Sequence, residues 1–265
     1  MQYFTPFSND ETKSMGSIGE VTVVAAELQT GVKWLLYTWV ANTIIGGDSC
    51  VFATTKDNNQ ETKDEICATI RTLCPGSELK IDGVYDGEGK LIANATAITC
   101  SSGMVVVLTA EQEPVTEYRL EFVIYQAFHT SGRLCKSVYI HNFDGIEIDK
   151  AFKREPVELR KSVQARRSLA LSALHVASQM SGARVLVTTQ LSPRIPQTEA
   201  GKYDIARVQN DKLMCSACNH ILFLTSETPS RTTVRLTSVL RDDGEPIDIL
   251  LESKDGVFHE LKGEN

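Results

Sequence analysis

The stretch AELQTGVKW (Ala26–Trp34) has the outline of a phosphate-binding loop, and the interpretation of the rest of the chain starts from it. That motif reads G-x-x-x-x-G-K-[ST]: backbone N–H groups surround the phosphates, the lysine reaches their oxygens and the hydroxyl holds Mg²⁺. The surroundings agree with this interpretation. The apolar run Val21–Ala25 predicts a buried strand before the loop, and Lys33–Ile45 predicts a helix after it.

The residues that carry the chemistry of the motif are changed. Ala26 stands at the first glycine, Val32 at the lysine and Lys33 at the Ser/Thr position, while Thr30 and Gly31 keep the shape of the turn. We interpret these five residues as a vestigial nucleotide loop. A single glycine between a strand and a helix also arises by chance, so the loop gains meaning only from the rest of the chain.

Composition indicates a sizeable α/β core in a reducing compartment. With 265 residues, 42% of them hydrophobic, the chain can bury one large domain or two small ones. A net charge of −7 argues against a generally basic nucleic-acid binder, though not against a local basic surface. The seven cysteines are odd in number and scattered, and no leader-like segment starts the chain. We therefore expect an intracellular protein without a membrane partner.

Strand and helix patterns alternate along most of the chain. Apolar runs predict further strands at 50–55, 104–108, 137–141 and 185–189, and helical spacing predicts helices at 61–73, 114–130 and 157–180. A turn at Asp86–Gly89 indicates a hairpin within 76–103, and short strands are predicted at 221–225, 233–239 and 247–251. These patterns predict a central, mainly parallel sheet flanked by helices, with a C-terminal antiparallel β extension. Residues 1–20 are expected to form an arm and residues 21–265 a single domain.

This order of elements resembles the core of RecA-type recombinases. The best local match is ARRSLALSALHVASQMSGARVLVTTQ (Ala165–Gln190), which is similar to the helix and strand before the second DNA-binding loop of those proteins. The resemblance makes Gln190 a switch-like residue that senses the γ-phosphate, and makes 191–212 the second loop. SVYIHNFD (Ser137–Asp144) resembles the Walker B strand. The separate amino-terminal DNA-binding domain of full recombinases is not recognised.

Two more positions depart from the family pattern. Asn142 stands where the Walker B aspartate orders Mg²⁺ and its waters, and Asp144 could replace it only if the strand end shifts. Lys56 stands at the tip of the second strand, where the family places a glutamate that activates water, and a cation cannot act as that base. With the altered loop, these losses predict a pseudo-ATPase with no cofactor of its own, ATP being at most shared with a partner subunit. Asn142 and Asp144 are then expected to face that partner.

A basic run is the candidate DNA-contacting surface. Phosphate contacts are expected from residues of the first and second loop regions, namely Lys150, Lys153, Arg154, Arg194, Lys202 and Arg207. An alternative stays open, because Asp149, Glu155 and Glu158 can pair with the same run on a solvated helix. The pair Cys215 and Cys218 with His220 offers too few ligands for a structural zinc, so no metal site is predicted.

The resemblance implies a non-catalytic recombinase paralogue of the nucleus, working in homologous-recombination DNA repair. Such a chain would form a heterodimer with another recombinase paralogue, and the pair would remodel or stabilise a recombinase filament on single-stranded DNA. The alternative is a RecA-like non-ATPase subunit of the Elongator tRNA-modification complex. A weak, atypical ATPase is the third hypothesis.

Overall fold

Strands and helices alternate along the chain as the apolar runs predict. The computed structural model describes residues 19–111, 113–127, 132–147, 163–191, 218–228, 230, 232–241 and 247–261. Its strands are β1 (Val21–Ala26), β2 (Ser49–Thr54), β3 (Leu79–Tyr85), β4 (Leu91–Cys100), β5 (Gly103–Thr109), β6 (Cys135–His141), β7 (Arg184–Gln190), β8 (His220–Ser226), β9 (Thr233–Arg241), β10 (Asp248–Lys254) and β11 (Val257–Glu260). Its helices are α1 (Val32–Ile45), α2 (Asn59–Leu73), α3 (Glu117–Phe122) and α4 (Val163–Ser181).

The strands form one sheet with β1 near its centre. Among the described residues the order is β11-β10-β9-β8-β1-β7-β6-β2-β5-β4-β3. The strands from β8 to β5 in this order pair in parallel, and β1 lies between β7 and β8. The carboxyl ends of β1, β7, β6 and β2 therefore meet at one edge of the sheet, where ligands bind in open α/β folds.

The predicted sheet needs one correction: "mainly parallel" describes only its centre. The antiparallel C-terminal extension is confirmed for β9 and β10, and β11, which the sequence did not predict, continues it. The strand expected at 221–225 as part of that extension is β8, which pairs in parallel with β1 and antiparallel only with β9. The hairpin of β3 and β4 joins the opposite edge, because a turn at 101–102 folds β4 back onto β5 in antiparallel register. Antiparallel strands thus flank the parallel centre on both sides.

Helix α1 is buried on nearly all sides, which explains its almost continuous apolar sequence. One face of it packs on the sheet, including the edge strand β11, and α2 packs beside it. Helix α2 has the amphipathic pattern of a surface helix, with Ile66 and Ile70 buried. Its first turn is capped by Asn58, whose side chain accepts a hydrogen bond from the backbone N–H of Glu61 at 2.7 Å.

Of the other two helices, α3 begins later than the sequence predicts and α4 agrees with its prediction where the structure describes it. The helix expected at 114–130 begins later, because the Thr116 hydroxyl accepts the Arg119 N–H at 3.2 Å and caps α3 there. A π-helical turn, Val123–Ala127, continues α3. Helix α4 agrees with the long helix predicted at 157–180 over the part that is described; residues 157–162 lie outside it.

Two apolar layers hold the sheet between the helices. Alternate side chains of β1 point to opposite faces: Val23 and Ala25 join the layer under α3 and α4, and Val24 joins the layer under α1 and α2. In the part of the chain that the structure describes, no helix combines the length and the apolar character that crossing a membrane requires.

Candidate functional site: the turn after the first strand

The turn between β1 and α1 is closed by its own hydrogen bonds. The Glu27 N–H donates to the Leu224 carbonyl at 3.0 Å, and the Thr30 hydroxyl donates to the Glu27 carbonyl at 2.9 Å. The Glu27 carboxylate accepts the backbone N–H of Ser226 at 3.0 Å, which ties the turn to the end of β8. An anion held here would lie beside that carboxylate, whereas a phosphate loop offers N–H groups to its ligand.

Gly31 is required by the backbone and by its neighbour. Its φ of 73° lies in the left-handed region, which glycine adopts without the steric cost of a Cβ. A Cβ at Gly31 would also lie 3.3 Å from the ring of Phe258 on β11. Phe258 is fully buried, and its N–H donates to the Thr38 hydroxyl of α1 at 3.2 Å. The β extension therefore packs directly against the start of α1.

Lys33 points into a group of acidic side chains. Its Nζ lies 3.1 Å from Oε2 of Glu65, 3.7 Å from Oδ1 of Asp57 and 3.7 Å from Oε1 of Glu61. Burial acts against the charge of Lys33, but the hydrogen bond to Glu65 and the three negative charges outweigh it and raise its pKa. The lysine is a bound counter-ion for helix α2. We call these four residues the Lys33 cluster.

Aromatic rings border the Lys33 cluster. The Nζ atom lies 5.6 Å from the centre of the Trp34 ring and 5.9 Å from that of Tyr37, both within the range of cation–π attraction. Tyr37 is buried, and its burial and the nearby Glu65 charge raise the pKa of its hydroxyl. The two rings and the carboxylates thus together surround the lysine ammonium.

Asp57 joins the Lys33 cluster to the end of β6. Its Oδ2 lies 3.1 Å from Nδ1 of His141 and accepts a hydrogen bond from the Thr54 hydroxyl at 3.0 Å. The hydrogen bond to His141 lowers the pKa of Asp57 to about 2, partly opposed by burial and aided by the charges of His141 and Lys33. Asp57 is therefore ionised at neutral pH. Its carboxylate oxygens already contact His141, Thr54 and Lys33.

Asn142, at the Walker B position, stabilises the turn after β6 by its hydrogen bonds. Asn142 has a φ of 56°, a left-handed conformation that asparagine tolerates better than most residues. Its Nδ2 donates to the Thr55 hydroxyl at 2.7 Å, and that hydroxyl donates to the Asn142 carbonyl, also at 2.7 Å. The backbone N–H of Asn142 donates to the Thr188 hydroxyl at 3.1 Å. Both sides of this residue are thus engaged in joining β6 to β2 and β7.

Asp144 and Gln190 lie at the same edge of the sheet. The Asp144 carboxylate accepts the Thr189 hydroxyl, with its two oxygens 2.9 and 3.0 Å away. Gln190 is the last residue of β7, in register with Ala26 of β1. The Leu191 N–H donates to the Ala26 carbonyl at 2.8 Å. The positions of the vestigial loop, the Walker B residues and the switch-like residue therefore meet at one edge.

Comparison with known proteins identifies the fold. No protein-family model matches the chain, and no curated protein matches its sequence. Many solved structures do match it. One is a DnaB-like replicative helicase described with its interactions with primase, with a TM-score of 0.69 at 14% identity over 98% of this chain. Another was solved as an ATPase domain, with a TM-score of 0.65 at 15% identity over 93% of this chain and 86% of that one. The chain has a RecA-like fold.

The extent of the match differs between these neighbours. This chain spans 63% of the length of the DnaB-like helicase chain. At such identities the likeness concerns the RecA-like fold alone. The two roles named from the sequence, a recombinase paralogue and an Elongator subunit, are more specific than the fold and stay predictions.

The predicted site residues fall into two groups in the RecA-like fold. Ala26, Thr30, Gly31, Val32 and Lys33 lie around the turn after β1, and Asn142, Asp144 and Gln190 lie near it. Lys56 is exposed directly after β2 and contributes only its backbone N–H, 3.4 Å from the Thr54 hydroxyl. The predicted DNA-contacting residues all lie outside the described residues: Lys150, Lys153, Arg154, Arg194, Lys202 and Arg207.

Sequence reasoning missed the acidic partners of Lys33. Asp57 directly follows Lys56, so the strand tip does carry a carboxylate one position later than the family pattern predicts. His141 and Phe258 were also missed, since one is the last residue of a strand and the other belongs to a short strand without a clear pattern. Within the described ranges, no group of three or more His, Cys, Asp and Glu side chains is placed to hold a metal ion. His220 is buried and lies 2.7 Å from Glu20 through its Nε2.

Proposed function

We propose that this chain is a non-catalytic RecA-fold subunit that acts by binding a second RecA-fold subunit. The Lys33 cluster is the observation that carries the proposal. Lys33, which directly follows the turn, is already neutralised by the carboxylates of Asp57, Glu61 and Glu65, so its charge is not offered to a nucleotide phosphate. The position that should carry the catalytic lysine is Val32.

The surface of the same turn supports a protein-binding role. Leu28 is 56% exposed and Trp34 is 37% exposed, and they stand at the two ends of the turn. Exposed leucine and tryptophan side chains beside a charged cluster are typical of protein interfaces, where tryptophan often dominates the binding energy. In a RecA-like assembly that holds nucleotide between subunits, the turn of this chain would contact the partner subunit. The partner would supply the residues that bind the phosphates.

The finer role rests on the sequence resemblance of Ala165–Gln190 to recombinases. On that basis the chain forms a heterodimer with another recombinase paralogue in the nucleus. The pair binds a recombinase filament on single-stranded DNA and remodels or stabilises it during homologous-recombination repair. Any ATP belongs to the interface with the partner, and this chain holds none alone.

Partner recovery tests this proposal directly. The tagged wild-type chain, expressed at its native level, is purified from cells after mild cross-linking, and its partners are identified by mass spectrometry. A variant with Leu28→Arg and Trp34→Arg is compared with Leu134→Arg, which changes an exposed leucine (71%) just before β6, away from the turn. We expect wild type and Leu134→Arg to recover a RecA-fold partner with intact phosphate-loop residues. The double variant should recover at least about tenfold less, as expected when an interface anchor is lost.

Three outcomes would overturn the proposal or a part of it. Recovery of no RecA-fold partner would remove the paired-subunit role, and equal recovery by the double variant would remove the turn as the binding surface. Recovery of Elongator subunits with no recombinase would replace the recombination role by the alternative named from the sequence.

DNA contact is tested separately. The proposed contacts are the six basic residues of the loop regions, and each is expected to release counter-ions on binding phosphate. Replacing Lys202 and Arg207 by glutamine in the purified heterodimer should lower affinity for single-stranded DNA and flatten its dependence on salt. An unchanged salt slope, measured by fluorescence anisotropy, would show that these residues make no phosphate contacts.

A further inference from the structure

Strand β3 ends the sheet with an exposed edge in the part of the chain that the structure describes. Only Val84 of this strand is buried, and most of its other residues are exposed on both faces of the sheet. Ile81 is 50% exposed, and Tyr85 at the end of the strand and Leu91, the pairing partner of Tyr85 on β4, are exposed as well. An exposed edge strand with apolar side chains is a template for pairing with another strand.

The charges of β3 are complementary to themselves. Lys80 and Asp82 flank Ile81 and lie on the opposite face of the strand from it, with Nζ and Oδ2 2.8 Å apart. If two copies of β3 pair antiparallel about a two-fold axis at Ile81, each Lys80 stands directly opposite the Asp82 of the other copy. Ile81 then meets its own copy, and Leu79 meets Gly83. A lysine without a partner would protect such an edge from pairing. In this register, however, Lys80 of one copy faces the oppositely charged Asp82 of the other copy, which favours pairing.

The register is limited by the structure of the strand. Residues from Leu79 to Gly83 pair regularly with β4, and the pairing is interrupted by a bulge between Gly83 and Tyr85. A bulge ends regular strand pairing, so the complementary segment is the five residues centred on Ile81. The apolar side of this segment is extended by Leu91, whose Cδ1 would lie 2.7 Å from a Cβ placed on Gly83. Leu91 therefore covers Gly83. In the proposed register Leu79 of the second copy pairs with Gly83 and would contact Leu91.

From this geometry we infer that the chain forms a symmetric homodimer by antiparallel pairing of β3 with β3 of a second copy, centred on Ile81. The inference does not rest on the proposed function, since β3 is at the far edge of the sheet from the β extension that packs on α1. The interface is small, and the dimer is expected to form at high micromolar concentration with a strong dependence on salt.

Charge reversal tests the pairing and its register. Lys80→Asp places two aspartates opposite each other at both ends of the segment, and Asp82→Lys places two lysines there. Sedimentation equilibrium should show that each variant dimerises about tenfold more weakly than wild type. An equimolar mixture of the two variants restores both opposite-charge pairs and should dimerise like wild type. Lys254→Asp, at the other end of the sheet, is the matched control and should leave the dimer unchanged.

Hydrogen exchange locates the contact in the same samples. The amides of β3 should become more protected as the wild-type concentration rises, and the amides of β11 should not. Three results would overturn the inference: a wild-type chain that stays monomeric up to submillimolar concentration, a variant mixture that dimerises no better than its components, or a dimer whose protected amides lie elsewhere. Circular dichroism of each variant shows that its fold is retained, which is expected because Lys80 and Asp82 are exposed.

Discussion

The ammonium of Lys33 lies 3.1 Å from the carboxylate of Glu65, so the second residue of α1 is bound to the side of α2. Asp57 and Glu61 complete the Lys33 cluster from the strand tip and the start of α2. This arrangement gives the lysine a structural partner at the place where a RecA-like ATPase handles phosphate. Its consequences can be measured on the purified chain.

Removing the cation should destabilise the chain. Lys33→Ala leaves Asp57 and Glu65 close together and partly buried without their shared counter-ion. We expect the free energy of unfolding to fall by about 1–3 kcal/mol, between the values for exposed and buried ion pairs. Urea unfolding measures this change. Lys56→Ala, an exposed lysine beside the cluster, is the control and should change the free energy by less than about 0.5 kcal/mol. Equal effects of the two substitutions would contradict a structural role for Lys33.

Asp57 should make the chain sensitive to acid. Its pKa in the folded chain, about 2, lies below the ordinary value of 3.8, so the unfolded chain takes up the proton first as pH falls. The stabilisation is therefore present above pH 4 or so and is lost as the pH approaches 2. Asp57→Asn removes this titration. The stability difference between wild type and this variant, measured by urea unfolding at a series of pH values, should be constant near neutrality and shrink below about pH 4. A difference that stays constant across the acid range would be the contrary result.

Phe258 should be a principal contact between the β extension and α1. Its ring is buried against Gly31, so Phe258→Ala leaves a cavity and should cost about 3–5 kcal/mol of unfolding free energy. Phe258→Leu keeps most of the volume and should cost only about 1 kcal/mol. Hydrogen exchange should show faster opening of the first turns of α1 in the alanine variant. A loss below about 1 kcal/mol for Phe258→Ala would mean that β11 does not stabilise this region.

The turn after β6 should tolerate no side chain at Gly145. A Cβ there would overlap the hydroxyl of Thr55, which bonds both the carbonyl and the side chain of Asn142. Gly145→Ala is expected to cost about 2–3 kcal/mol, as overpacking does in tight sites. Thr55→Gly removes the overlap, so the double variant should lose less stability than the sum of the two single variants by about 1 kcal/mol. Strict additivity in urea unfolding would contradict this contact.

The sequence predicted the fold well where local patterns determine it. The apolar runs at Val21–Ala25 and 104–108 are confirmed as fully buried strands, because a strand that is covered on both faces shows no polar alternation. The helix predicted at Lys33–Ile45 is confirmed as α1, with Gly31 and Gly46 as the residues that flank its two ends. The hairpin at 76–103 was found from its turn, but its place at the sheet edge was not predicted, since edge position depends on which strand it meets.

The candidate site was predicted only in part, because its contacts join elements whose packing cannot be read from local sequence patterns. Family positions located Lys33, Asn142 and Gln190 at one edge, but the partners of Lys33 come from the following strand tip and helix. No spacing rule connects Glu65 to Lys33, because their contact depends on how α2 packs beside α1. Phe258 is more distant still in sequence, and only the folded β extension brings it to Gly31.

Nucleotide binding distinguishes a vestigial loop from a working one. Isothermal titration of the purified chain with ATP and Mg²⁺ should give no saturable binding up to about millimolar nucleotide, because the turn offers Val32 where a lysine is needed and because Lys33 is already bound by carboxylates. Saturable binding at micromolar ATP that is lost on Lys33→Ala would contradict the account and make this chain a nucleotide-binding subunit in its own right.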